Sequence, residues 1–164
     1  VEGGLKLVST YPALNFLLVN QPSGLFDWAL GHASTLSGTK DPHVALWRSL
    51  ALKAKGDAAG ADQVLAAGRG SLGEGDWPAA VCDALSWKAS DKQVSAAARS
   101  SDSNVQAARL CEANFYIGEW KYLSGDKDGA RKALQAAIRF DPGCGGKVSI
   151  HRLRAATRPQ RKRP

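Results

Sequence analysis

Between residues 41 and 142, apolar positions recur every three or four residues and are cut into short runs by Gly, Asp, Ser and Pro. That period predicts amphipathic helices joined by tight turns. Asp41-Pro42 opens the first helix, since Asp caps and Pro suits the first helical position. Leu46, Leu50 and Lys53 then form one stripe, with Trp47 and Ala51 beside it. Gly56 ends this helix, and Asp57 caps the next, where Ala61, Val64, Leu65 and Gly68 follow helical spacing. Asp76-Trp77-Pro78 starts another run through Val81, Ala84, Leu85 and Trp87. Ser90-x-x-Gln93 and Ser103-x-x-Gln106 are capping-box patterns, each opening an Ala-rich stretch. The last two helices are predicted over 103–124 and 126–140, broken at Gly125 and stopped by Asp141-Pro142. Period-two alternation is nowhere sustained, so the fold class is all-α.

The turns repeat. Gly56-Asp57 and Gly125-Asp126 lie 69 residues apart, and a middle turn would fall near Ser90-Asp91. Helix pairs beginning near 42, 76 and 110 tile this region at one spacing, which suggests stacked helix-turn-helix units rather than a bundle. About three such pairs can bury a shared core. Upstream, Leu25, Trp28, Ala29, His32 and Leu36 place one more helix beside the first pair. The chain thus divides into an irregular segment 1–23, a helical repeat domain 24–142, and a Gly-rich linker with a basic tail over 143–164.

The segment CEANFYIGEWKYLSGDKDGARKALQAAIRFDP, residues 111–142, resembles a tetratricopeptide repeat along its full length. Gly118 stands where the two helices of such a repeat approach closely, and Ile117 fills an aliphatic site. Gly125-Asp126 forms the turn, Ala130, Leu134 and Ala137 line the second helix, and Pro142 closes the unit. Asn114 and Lys121 depart from the usual aromatic positions, with Phe115 and Tyr122 next to them. With DPHVALWRSLALKAKGD and GDWPAAVCDAL ahead of it, the stretch 41–142 is similar to bacterial tetratricopeptide proteins of the NlpI-like kind. That resemblance implies a tetratricopeptide-like α-solenoid acting as a non-catalytic protein-interaction scaffold. The first helix of each pair would line a concave groove that receives a partner's peptide or helix. Glu112, Phe115, Glu119 and Tyr122 would face it from the last pair. His43, Leu46, Leu50 and Lys53 would do so from the first, and Trp77, Ala80, Ala84 and Trp87 from the middle one. The expected partner contacts are Glu112, Phe115, Glu119, Tyr122, His43 and Lys53; Trp47 is expected in the core.

Charge adds one competing implication. The formal net charge is +7, yet residues 147–164 hold seven basic residues and no acid. Removing those 7 from the 22 Lys and Arg leaves 15 cations against 15 acids in the first 146 positions. The body is neutral. The tail, through Arg152, Arg154, Arg158, Arg161, Lys162 and Arg163, could neutralise phosphates on nucleic acid or an anionic surface. It holds no aromatic ring to stack on bases, which argues against a specific single-strand reader.

Catalytic templates fail. His32, His43 and His151 show no metal-ligand spacing, and no nucleophile-elbow motif occurs. Gly143 to Lys147 lacks the first glycine and the final Ser or Thr of a phosphate loop. Neither an enzyme activity, a cofactor nor a metal is expected. Cys82, Cys111 and Cys144 form no CxxC pair; a disulfide between two of them is compatible with the sequence, but small buried hydrophobes are the favoured reading. No apolar run is long enough to cross a bilayer and no signal peptide or lipobox is visible, which leaves cytoplasmic and envelope-associated placements both open. Methionine is absent, even at position 1, so the sequence reads as a fragment, a processed product, or a frame opened at a non-standard start.

Overall fold

The computed structural model describes residues 42–140, where six α-helices and no strand are found. The irregular segment 1–23, the upstream helix around Trp28, and the linker with its basic tail all lie outside the described residues. In chain order the helices are α1 (Pro42–Ala54), α2 (Ala58–Gly70), α3 (Ala79–Leu85), α4 (Asp91–Ala97), α5 (Ser103–Leu123) and α6 (Lys127–Phe140). They form three consecutive pairs, α1–α2, α3–α4 and α5–α6.

The helix starts follow side-chain chemistry. Asp57 accepts the Gly60 N–H at 2.9 Å, satisfying an amide at the α2 N-terminus. Ser90 and Gln93 form the expected capping box at α4. The second predicted box is replaced. Asp102, not Ser103, caps α5 by accepting from Asn104 and Val105, because a charged carboxylate outcompetes a hydroxyl at the positive end of a helix. Gln106 instead accepts from the Ser100 N–H at 3.2 Å. Asp76 does not cap α3 with its side chain; its carboxylate turns back to the Gly73 N–H at 2.8 Å, and Pro78 holds the cap position.

Each pair closes through the same backbone turn. After α1, Gly56 takes φ +87°, its N–H bonds the Lys53 carbonyl, and the Asp57 N–H bonds that of Leu52. After α5, Gly125 takes φ +88°, with matching bonds to Tyr122 and from Asp126 to Lys121. This is the Schellman arrangement, which needs a left-handed residue and therefore favours glycine. After α3 the same two bonds recur, Trp87 to Ala84 and Lys88 to Asp83, but the left-handed position is Trp87 at φ 61°. The middle turn thus sits three residues before the expected Ser90.

The core runs through all three pairs. Leu46, Trp47, Leu50 and Ala51 from α1 meet Ala61 and Leu65 from α2, and Val81, Cys82 and Leu85 from α3. Val94 joins from α4, and Ala133, Leu134 and Ala137 join from α6. Helix α5 is central. Phe115, Tyr116, Ile117, Gly118, Glu119 and Trp120 are consecutive and all buried, as in a helix covered around its circumference. Trp47, as expected, is core: its ring lies 5.7 Å from Phe115 and 5.4 Å from Tyr116, and those two are 5.5 Å apart. Such offset and edge contacts are worth about 1 kcal/mol each beyond the buried area. Gly118 allows the close approach expected of it, since a Cβ there would meet Leu134 Cγ at 2.6 Å.

Candidate functional site

The clearest polar constellation joins residues from all three pairs. Glu112, on the third turn of α5, accepts from His43 Nε2 at 2.8 Å through one oxygen. Its other oxygen accepts from Trp77 Nε1 at 2.7 Å. His43 stands on the first turn of α1, and Trp77 on the turn that enters α3. The three positions are separated by 34 and 35 residues. The carboxylate and imidazole are about one-quarter and one-third exposed, so the constellation reaches the surface. Charge-assisted bonds of this kind are the stronger class, worth about 1.5–3 kcal/mol.

Arg109 lies one turn earlier on α5, with its guanidinium 5.6 Å from the Trp77 ring centroid. It completes a stack of cation, indole, carboxylate and imidazole. Among the described residues no carboxylate pairs with Arg109, which is half-buried. Arg109 falls within the expected helix over 103–124 but ahead of the stripe that begins at Glu112, so spacing alone does not select it.

Both oxygens of Glu112 are engaged as acceptors, an arrangement that ties α1 and the turn before α3 to α5. No group of three or more His, Cys, Asp or Glu residues suited to a metal occurs among the described residues. No described helix is long and apolar enough to cross a membrane.

The other expected contact residues divide. Phe115 is interior, 4% exposed within the Trp47–Tyr116 cluster, so its ring is not on a groove. Glu119, 3% exposed, is also interior. The cause is a shift of face: α5 is covered on several sides, and a stripe read from spacing alone cannot say which side stays open. Tyr122 is half-buried and reaches the surface. Lys53 is half-buried, with its ammonium 4.3 Å from the centroid of the Trp120 ring, a cation–π contact between α1 and α5. Trp87, expected on a helix face, lies beyond the end of α3 and is 75% exposed. The tail residues Arg152, Arg154, Arg158, Arg161, Lys162 and Arg163 fall outside the described residues.

Two further ties hold the pairs together. Arg69, in the last turn of α2, donates from Nε to both oxygens of Asp83 on α3, at 2.9 and 3.0 Å. Lys121 near the end of α5 meets Asp91 at the start of α4 at 3.6 Å. The cysteines also differ from one another. Cys82 is a free buried thiol, as favoured, and burial pushes its pKa from 9.0 to about 11, with the Asp83 charge adding to the rise. Cys111 is disulfide-bonded, so the buried-thiol expectation does not hold for it.

The class defined here is an all-helical protein, with no strand among the described residues. No family model, characterised protein or solved structure matches the chain.

Proposed function

We propose that this chain is a non-catalytic interaction scaffold of tetratricopeptide-like design, whose helix pairs present a shared face to a partner's peptide or helix. The observation that carries this reading is the Glu112 junction. Residues at 43, 77 and 112 converge on one carboxylate, which gathers polar groups of all three pairs at one partly exposed place. Arg109, His43, Lys53 and Tyr122 border that junction or lie along the same two helices, and they supply the polar and aromatic contacts. Arg and aromatic side chains of this kind are frequent anchors of protein interfaces.

The test is capture on the full chain at low and moderate salt, compared with an Arg109→Ala/Tyr122→Ala variant of unchanged melting temperature. Partners that resist salt and disappear with the variant support the scaffold reading. Recovery of only salt-sensitive nucleic acid or lipid, unaffected by the variant but lost on neutralising the tail cations, would replace it with binding through residues 147–164.

A further inference from the structure

The middle turn violates two rules at the same residue. The first and last pairs place Gly56 and Gly125 at the left-handed position of their turns, with φ +87° and +88°. The middle pair, closed by the same two backbone hydrogen bonds, places a tryptophan there at φ 61°. A bulky residue in that region is strained, and glycine is the residue that relieves it. The ring gains no burial in return: Trp87 is 75% exposed, whereas Trp47 and Trp120 are 5% and 3% exposed. A backbone outlier that burial does not offset is the kind of feature that points to a functional contact.

The surroundings indicate the partner's chemistry. Lys88 follows Trp87 directly, and Lys92 lies one turn into α4; both are exposed. Among the described residues neither is paired with a carboxylate. The nearby Asp91 is matched by Lys121 and Asp83 by Arg69, so the turn carries uncompensated positive charge around an indole. An indole flanked by lysines suits the boundary between water and an anionic lipid surface, where the ring enters the headgroup layer and the ammonium groups meet phosphates. A single-strand binder would need successive rings along a basic groove. Here one ring stands alone on a short turn.

We propose that the α3–α4 turn is an interfacial anchor, in which Trp87 inserts into an anionic lipid surface with Lys88 and Lys92 on the headgroups. The experiment compares the full chain with Trp87→Gly and with Lys88→Gln/Lys92→Gln. The probes are vesicles of pure phosphatidylcholine and vesicles containing one-third phosphatidylglycerol, with and without brominated acyl chains. Trp87→Gly restores the residue used by the other two turns, so it raises the melting temperature while it removes the anchor. The expected result is binding to anionic vesicles that falls about tenfold with Trp87→Gly and weakens with the lysine variant. Brominated lipid should quench tryptophan emission in the parent chain and not in Trp87→Gly. Undiminished binding by Trp87→Gly assigns the attraction to the basic tail alone and overturns the proposal. So does the absence of quenching, or Trp87-dependent binding to a single-stranded oligothymidine in place of vesicles.

Discussion

The outer helix pairs and the middle pair use one turn geometry with opposite local economy. In α1–α2 and α5–α6 the helices run 13, 13, 21 and 14 residues, and glycine relaxes the left-handed position. In α3–α4 both helices have 7 residues, and a tryptophan holds that position. Helices of two turns are too short to be stable from their own hydrogen bonds. The middle pair is instead held by its neighbours: Arg69 grips Asp83, Glu112 grips Trp77, and Lys121 meets Asp91. A unit supported from both sides can carry local strain that an end unit would lose to fraying.

The sharpest way to break this contrast is to remove core from each region. Leu134→Ala in α6 and Leu85→Ala in α3 should each cost about 3 kcal/mol in denaturant unfolding, since both side chains are enclosed. If Leu85→Ala costs far less, the middle pair is not part of the cooperative unit. Cys82 tests the same enclosure through pH. Its folded pKa is raised, so the unfolded chain releases the thiol proton first, and stability declines as pH rises from 9 through about 11. The loss reaches ~2 kcal/mol, and Cys82→Ala should flatten that part of the stability–pH curve. Glu112→Ala leaves His43 and Trp77 without their shared acceptor and should lower stability by about 2 kcal/mol in thermal melts. Glu112→Gln keeps an acceptor oxygen and should lie between that variant and the parent. The smallest effect has opposite signs in the two regions: Gly125→Ala should destabilise by about 1 kcal/mol and Trp87→Gly should stabilise by about the same. Equal signs would mean that the turns are not equivalent.

That inequality also explains what the sequence made legible. Gly56-Asp57 and Gly125-Asp126 spell out both the end of one helix and the start of the next, so the outer hairpins could be placed to the residue. The middle hairpin carries no such signal. Trp87 reads as one more apolar position on a helix, and the turn was therefore displaced to Ser90-Asp91. At the site, the stripes read from spacing begin at His43, Trp77 and Glu112, the three residues that the fold brings together. Sequence could not show that they meet at one carboxylate, because the two contacts span 35 and 69 residues. Phe115 and Glu119 illustrate the other limit. Spacing finds a stripe on α5, but only the placement of α1, α3 and α6 around it decides that the stripe is interior.

Glu112 also bears on how such a chain could grow. A carboxylate offers two oxygens, and here one is committed to the first unit and the other to the second. An insertion between residues 43 and 112 would carry at least one of these donors away from the carboxylate, so it would cost the junction one of its two hydrogen bonds. Added helices outside that interval would leave both in place.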